Sequence, residues 1–371
     1  MSFMFEKGLA KTIETYEKWW EGELNRGIFP VAIKGFEPKR PEPKYPYNDQ
    51  MLFGDDQSLF ADRSITPREV IDCIDYGLST MEFLGDYFPH CNMTFSGPGV
   101  AAAFLGASVK LSDKRVWFFP EKETDIRDLH FEYDPDNYWL NRIKEITLEG
   151  VKLWGNDVVI GLPDLGGVLD ILAVFRSTEG LLLDLYDHPE DVTRLVKEIC
   201  DLWHIYFNEI AALYAKDNVY SDWSGLLSKK PAYMLQSDFS YMIGNDMFNE
   251  FVLPELAESC GRLGRGCYHL DGIGQLSHLN SLLQIKNLRL IQWVPGSGEP
   301  EGKNWDNVYN RIWDSGRLTQ KWPEIIGDYM PSLDKTVVER GSSKGIANCL
   351  MLFERNDRGK ALRLLDKYEV C

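Results

Sequence analysis

The sequence lacks the features of a secreted, membrane-spanning or disulfide-bonded protein. Its 7 cysteines are odd in number and include no Cys-x-x-Cys pair, which favours reduced thiols over a disulfide scaffold or a zinc ribbon. No apolar run is long enough to cross a bilayer. Residues 1–20 also lack the positively charged start and apolar centre of a secretory signal. We therefore expect a cytoplasmic location and no membrane partner.

Positive charge is scarce as well. The chain has 40 Lys and Arg against 57 Asp and Glu, a formal net charge of -17, and no basic stripe. A nucleic-acid partner is therefore excluded, because such proteins present a basic surface. The composition is 44% hydrophobic and 13% aromatic, which is enough to bury a large core. We predict one globular domain over residues 1–371.

The amino-terminal part of the chain has its own pattern. Residues 3–23 place apolar side chains on one stripe at helical spacing, which predicts an amphipathic helix. Residues 35–50 contain four prolines, which prevent regular structure and indicate a long loop. We interpret residues 1–60 as an amino-terminal extension made of a helix and a loop.

Along the whole chain, short apolar runs alternate with segments of helical periodicity. The predicted strands are 31–33, 92–95, 157–161, 219–222, 234–241, 267–270, 288–294 and 345–352. Strands separated by single helices pair in parallel through right-handed crossovers, and about eight such units close a barrel. A doubly wound open sheet is the competing fold, but the sequence has neither a Gly-x-Gly-x-x-Gly turn opening a helix nor a Walker loop. The pattern favours an α/β fold of the (β/α)8 TIM-barrel type.

The segment Tyr268-His-Leu-Asp-Gly272 is the most informative local motif. Residues two apart in a strand point to the same face, so His269 and Asp271 should project together near the strand's end. An imidazole beside a carboxylate can transfer protons or supply two ligands to a metal. A histidine held by a structural aspartate is an equally good interpretation.

Two further carboxylates are candidate catalytic groups. Asp164 follows an apolar strand, and carboxylates at the carboxyl ends of barrel strands lie where such enzymes carry out their chemistry. Asp238 stands beside an aromatic residue, where burial would disfavour its charged form. The alternative for Asp164 is a helix cap and for Asp238 a turn cap.

Other residues near predicted strand ends are candidates for binding a substrate. They are Asp222, Trp223, Gln292, Trp293, Glu299 and Arg176. Trp293 could equally be a packing residue. A thiolate with an imidazole would suit zinc, which makes His269 and Cys349 candidate metal ligands, although no local pair has the usual ligand spacing.

Several segments together resemble the uroporphyrinogen decarboxylase superfamily, which includes the methylcobalamin:coenzyme M methyltransferases and related corrinoid-linked methyltransferases. They are Gly161–Asp170, Leu181–Glu190, Phe248–Pro254, Tyr268–Gly272 and Ile291–Gly296. The similarity runs from about Pro67 to the carboxyl terminus. It implies a TIM barrel with its chemistry at the barrel mouth, and it does not specify one reaction.

The chain departs from this superfamily in two places. The haem-pathway decarboxylases carry an Arg-rich amino-terminal motif for the tetrapyrrole carboxylates, and nothing comparable stands between Phe29 and Phe60. The zinc methyltransferases use a His-x-Cys element and a later Cys. Here the matching element is His269-Leu-Asp271, so Asp replaces the thiolate, and Cys349 would be the later Cys.

The resemblance leads to three functional hypotheses. The first is a corrinoid-linked methyltransferase acting on a small substrate, with methylcobalamin presented by a corrinoid protein and zinc as a candidate cofactor. The second is a decarboxylase, a lyase acting on an organic acid or a tetrapyrrole, in which Arg176 would hold the substrate. The third is a ligand-binding barrel without turnover. A homodimer is expected because it is the commonest oligomer.

Overall fold

A computed structural model describes residues 8–214, 219–296 and 305–370, in which helices alternate with mostly parallel strands. The predicted mixed α/β class is therefore confirmed. The helices are α1 (Leu9–Trp20), α2 (Asp49–Leu52), α3 (Ser58–Ala61), α4 (Pro67–Ser79), α5 (Ala101–Phe104), α6 (Tyr138–Trp154), α7 (Val168–Arg176), α8 (Thr178–Asp187), α9 (Pro189–Tyr214), α10 (Asn245–Met247), α11 (Leu253–Leu263), α12 (Leu279–Leu282), α13 (Asp306–Asp314), α14 (Pro331–Arg340) and α15 (Arg358–Lys367). Within the described ranges, no helix is both long and apolar enough to span a membrane.

The main sheet contains five parallel strands in the order β11-β10-β9-β8-β7. Strands β3 and β6 form a separate parallel pair, β4 and β5 form a hairpin, and β1 pairs in parallel with β12 and antiparallel with β2. The strands are β1 (Pro30–Lys34), β2 (Glu82–Gly85), β3 (His90–Cys91), β4 (Ser108–Ser112), β5 (Arg115–Phe119), β6 (Val159–Ile160), β7 (Ala232–Leu235), β8 (Arg265–Asp271), β9 (Leu288–Val294), β10 (Leu318–Lys321), β11 (Ile346–Asn348) and β12 (Met351–Glu354). The closed eight-stranded barrel remains a prediction.

The observed strands differ from the predicted ones in several places. Residues 92–95 mostly form a 3-10 turn after β3, and residues 219–222 contribute an isolated bridge instead of a strand. The predicted strand 345–352 is divided into β11 and β12. Strand β10 was missed because its sequence, Leu-Thr-Gln-Lys, is polar although three of its four side chains are buried. The predicted strand 31–33 is confirmed as β1, which pairs with the last strand, β12.

Helix α1 covers the end of the strands opposite to the candidate site. Its buried aromatic residues pack against apolar residues from several strands and strand-flanking segments. This cluster contains Tyr16, Trp19, Trp20, Ile28, Phe88, Val159, Leu226, Leu227, Met234, Cys267, Leu290 and Ala347. Arg265, the first residue of β8, holds the helix through Glu17 at 2.6 Å and Glu21 at 2.8 Å. Apolar packing thus closes the amino-terminal ends of these strands and leaves their carboxyl ends for the site.

Candidate active site

Asp238, His269 and Asp271 lie together at the carboxyl ends of β7 and β8. One ligand atom from each residue lies within 4.8 Å of the others, and His269 Nε2 is 3.8 Å from Asp271 Oδ2. His269 and Asp271 share a face because they are two residues apart in β8, while Asp238 begins the 3-10 turn that follows β7. The side chains of His269 and Asp271 are 16% and 40% exposed, so a ligand can reach them. The structure therefore brings together three of the four predicted catalytic residues, and their role stays a prediction.

A chain of amide groups fixes the protonation of His269. Gln320 Nε2 donates to the backbone oxygen of Ser224 at 2.9 Å, and Gln292 Nε2 donates to Gln320 Oε1 at 2.8 Å. Gln292 Oε1 lies 2.5 Å from His269 Nδ1. Because a carbonyl oxygen can only accept, the direction of every bond in this chain is determined. His269 Nδ1 must donate its hydrogen to Gln292, which leaves the Nε2 lone pair on the side of Asp271.

Asp222 supports the end of this chain. Its carboxylate accepts hydrogen bonds from the backbone nitrogens of Ser224 at 2.8 Å and Met234 at 2.6 Å, and burial raises its pKa. The turn that it holds also carries Trp223, whose ring stands edge-on to the His269 ring with centroids 5.2 Å apart. Asp222 is 3% exposed. Asp222 therefore holds a turn, whereas we had expected it to contact the substrate. Trp223 remains a candidate for contact with the substrate.

The electrostatic setting of His269 is acidic. Burial opposes the charged imidazole, but the negative charge of Asp271, whose Oδ2 lies 3.8 Å from Nε2, and the charge of Asp238 raise the pKa of His269. Burial and the charge of Asp271 in turn raise the pKa of Asp238, against the opposing effect of His269. Raised pKa values at His269 and Asp238, adjacent to each other in an accessible site, are typical of groups that take part in acid–base chemistry.

Two more carboxylates stand close to Asp238. Burial, assisted by the charge of Asp238, raises the pKa of Asp164 to about 7, although the backbone N–H of Gly166 donates to this carboxylate at 3.0 Å. Asp170 in α7 accepts hydrogen bonds from the backbone nitrogens of Asp238 at 2.9 Å and Phe239 at 2.7 Å. Burial and the charge of Asp238 raise the pKa of Asp170 to about 7 as well. Asp170 was not among the predicted site residues, because no local pattern marks its contact with the turn after β7, which lies far along the chain.

The remaining predicted substrate-binding residues lie elsewhere or have other partners. Trp293 is 1% exposed and packs against Trp305. Neighbouring residues in a strand point to opposite faces, so Trp293 points away from the face on which Gln292 contacts His269. The guanidinium of Arg176 is held by Asp184, at 2.6 Å from Nε, and by the backbone oxygen of Thr124. Glu299 lies outside the described residues.

The donor atoms in the described ranges fit a divalent cation at Asp238, His269 and Asp271. Cys349 is not in this group, since its buried thiol lies 3.7 Å from Gln292 Nε2 and burial raises its pKa to about 12. Two carboxylates and one imidazole are oxygen and nitrogen donors that suit zinc, manganese or iron. In the neutral form of His269, the hydrogen lies on Nδ1 and is donated to Gln292, so Nε2 presents the lone pair that a metal requires.

His90 is a buried histidine that sequence reasoning missed. It is 3% exposed, and its Nε2 has no hydrogen-bond partner. A Cβ atom at Gly161 would lie 2.7 Å from this nitrogen, so the glycine makes room for the ring. Burial lowers the pKa of His90 to about 3, so the ring is neutral.

Comparison with known proteins supports the fold only. No protein-family model matches the chain, and no curated protein matches its sequence. The solved structure of a methyltransferase from Methanosarcina mazei is similar, with a TM-score of 0.56 over 96% of this chain and 98% of that chain. The two sequences are 11% identical, a level at which the likeness establishes a shared fold and no shared activity. Membership of the uroporphyrinogen decarboxylase superfamily stays a prediction.

Proposed function

We propose that the chain is an enzyme that transfers a methyl group to or from a small substrate at the mouth of a (β/α)8 barrel. Two backbone hydrogen bonds between separate strand groups support the barrel: Asn348 N to Ile28 O at 3.0 Å, and Leu162 N to Ser221 O at 2.9 Å. The apolar cluster beneath α1, which gathers residues from many strands, supports it as well. The observation that carries the proposal is the group of Asp238, His269 and Asp271 at the strand ends, in a fold that a methyltransferase also adopts.

In this proposal Asp238, His269 and Asp271 hold a divalent cation, with zinc as the first candidate. The bound ion would supply Lewis-acid activation of a thiol, hydroxyl or amine on the methyl acceptor. Gln292 keeps the His269 ring in the tautomer that has a free Nε2. Asp164, with a pKa of about 7, can take up or release the proton of the acceptor near neutral pH.

We further propose methylcobalamin, presented by a corrinoid protein, as the methyl donor. Exposed apolar side chains follow β7 and β8 at the same end as the site: Tyr241 is 52% exposed, Met242 46% and Ile273 42%. An exposed apolar patch at the rim of a site is typical of a surface that receives a partner. A corrinoid protein bound to this patch would lie beside Asp238, Asp271 and His269.

Decarboxylation has less support. An organic acid needs a free cation to hold its carboxylate, and Arg176 is already paired with Asp184. Among the described residues, the lining of the cavity beside Asp238 includes neither Lys nor Arg. An anionic substrate would therefore meet negative charge without compensation.

A methyl-transfer assay tests the proposal. Purified protein is mixed with methylcobalamin, a divalent metal and a panel of thiol, amine and phenol acceptors, and demethylation is followed by the absorption spectrum of the corrinoid. We expect turnover with at least one acceptor, and a loss of about 10²-fold or more for Asp271→Asn. Asp366→Asn, an exposed change in α15, is the matched control and should retain the wild-type rate. Folded protein that demethylates no acceptor with any metal, or an Asp271→Asn variant as active as wild type, would overturn the proposal.

A further inference from the structure

A cavity of about 330 Å³ opens beside Asp238, between α7, the turn after β7 and strand β5. This volume is in the range of small-molecule sites. Its lining includes the carboxylates of Asp170 and Asp238, the rings of Phe118 and Phe239, and the side chains of Gln236 and Met242. Asp238 belongs to both the cavity and the group around His269, so a ligand bound in the cavity is adjacent to the candidate catalytic residues.

The charged side chains that line the cavity are negative. They are the carboxylates of Asp170 and Asp238, and the described lining residues include no Lys or Arg. The two groups are adjacent, because Asp170 accepts hydrogen bonds from the backbone nitrogens of Asp238 at 2.9 Å and Phe239 at 2.7 Å. A positively charged ligand would be attracted by both carboxylates, whereas an anion would be repelled.

The apolar part of the cavity suits a cation as well. Phe118 and Phe239 contribute aromatic rings, and Met242 contributes a polarizable thioether. Aromatic faces attract alkylated ammonium groups because the ring quadrupole is negative above the ring. Carboxylates combined with aromatic rings are therefore the surroundings in which substituted ammonium ions bind well.

Gln236 gives an independent sign of a ligand. The residue is only 9% exposed, it lines the cavity, and no hydrogen bond to its side-chain amide is found among the described residues. Its amide therefore offers a donor and an acceptor to a ligand at the cavity wall. A polar group on the ligand, such as a hydroxyl, would complete its hydrogen bonding.

We propose that this cavity binds a small organic cation, an ammonium or substituted ammonium that carries a hydroxyl or similar polar group. Asp170 and Asp238 balance the charge, Phe118 and Phe239 contact the alkyl groups, and Gln236 bonds the polar group. The identification of this cation as the substrate rests on the proposed function, whereas its binding does not. A divalent ion would be held by Asp238 and Asp271 together with His269, so in metal-loaded protein Asp170 remains as the carboxylate that balances the organic cation.

Isothermal titration with a matched set of probes tests the inference. Choline is compared with the neutral alcohol in which carbon replaces its quaternary nitrogen, and with the corresponding tert-butyl carboxylate. We expect choline to bind about tenfold or more tightly than the alcohol, and the carboxylate not to bind. Equal affinity for choline and the alcohol, or tighter binding of the carboxylate, would overturn the inference.

A charge variant locates the binding. Thr178 is exposed at the start of α8 and lines the cavity, so Thr178→Lys adds a cation there without disturbing the core. We expect Thr178→Lys to weaken choline binding about tenfold and Thr178→Gln, the neutral control of similar size, to preserve it. Unchanged affinity in Thr178→Lys would place the cation elsewhere and refute this site.

The titrations are run on metal-free and metal-loaded wild-type protein without corrinoid or turnover. A retained preference for choline in protein that transfers no methyl group would contradict the proposed function alone. Conversely, methyl transfer without any preference for the cation would contradict this inference alone.

Discussion

Replacing Gln320 by Met should change the tautomer of His269. The two residues do not bond each other directly, because Gln292 lies between them in the chain of hydrogen bonds. Gln320 holds the amide of Gln292 in one orientation by accepting at 2.8 Å and donating to Ser224 O at 2.9 Å. Met has similar volume but makes neither bond, so the Gln292 amide gains freedom to turn over. His269 Nδ1 then loses its fixed acceptor.

The expected size follows from the bonds that are lost. A neutral hydrogen bond contributes about 1 kcal/mol, so fixing the Gln292 orientation biases the His269 tautomers by roughly five- to tenfold. The variant should lose most of this bias and show both tautomers. It should also lose about 1–3 kcal/mol of unfolding free energy, because Ser224 O, to which Gln320 donates in the wild type, is left without that donor.

Two-bond proton–nitrogen correlation spectra of histidine-labelled protein measure the tautomer directly, and the chain has only 6 His to assign. Gln275→Met is the matched control. Gln275 is also buried and bonds Tyr268 Oη at 3.0 Å and Ser237 O at 3.1 Å, so the change should cost similar stability and leave the His269 tautomer unchanged. The reasoning is refuted if wild-type His269 carries its proton on Nε2, or if Gln320→Met preserves the tautomer.

Three further predictions concern stability. Burial raises the pKa of Glu255 from 4.5 to about 8, so the wild-type protein loses unfolding free energy as the pH rises between these two values. In urea unfolding, Glu255→Gln should therefore be more stable than wild type by up to about 5 kcal/mol at alkaline pH. The variant should show no gain below the unfolded-state pKa. Arg265→Met removes the ion-pair partner of Glu17, which keeps only the backbone N–H of Lys229, and should cost about 3 kcal/mol with faster hydrogen exchange in α1 than in α15. Gly166→Ala would place a Cβ 2.6 Å from Gly99 Cα at a positive φ, and should lower the melting temperature by more than an alanine at exposed Gly244 does. Equal melting temperatures for the two alanine variants, an unchanged pH profile or normal exchange in α1 would contradict the respective prediction.

The strands that sequence could predict are those stabilised by their own apolar residues. Strands β8 and β9 are continuous and largely buried, so their apolar runs marked them within two residues at either end. The shared face of His269 and Asp271 followed from strand geometry alone. Strand β10 could not be found in this way, because Gln320 is buried through hydrogen bonds to Gln292 and Ser224, which are distant in sequence.

The grouping of the site depended on similar long-range contacts. Asp238 reaches His269 because Asp170, nearly seventy positions earlier, holds the turn after β7 through two backbone nitrogens. The resemblance to zinc methyltransferases pointed instead to Cys349 as a metal ligand. In the structure, Cys349 Sγ accepts a hydrogen bond from Gln292 Nε2 at 3.7 Å. Cys349 is not part of the donor group of Asp238, His269 and Asp271.

Metal stoichiometry is the most direct test of the central claim that these three residues form a cation site. Protein is stripped with a chelator, reloaded with zinc or manganese, and its bound metal is counted per chain by mass spectrometry. We predict one ion per chain in wild type and in Cys349→Ser, and a loss of binding of about 10-fold or more in Asp238→Asn. Wild-type protein that binds no divalent ion, or a site abolished by Cys349→Ser and preserved in Asp238→Asn, would contradict the account.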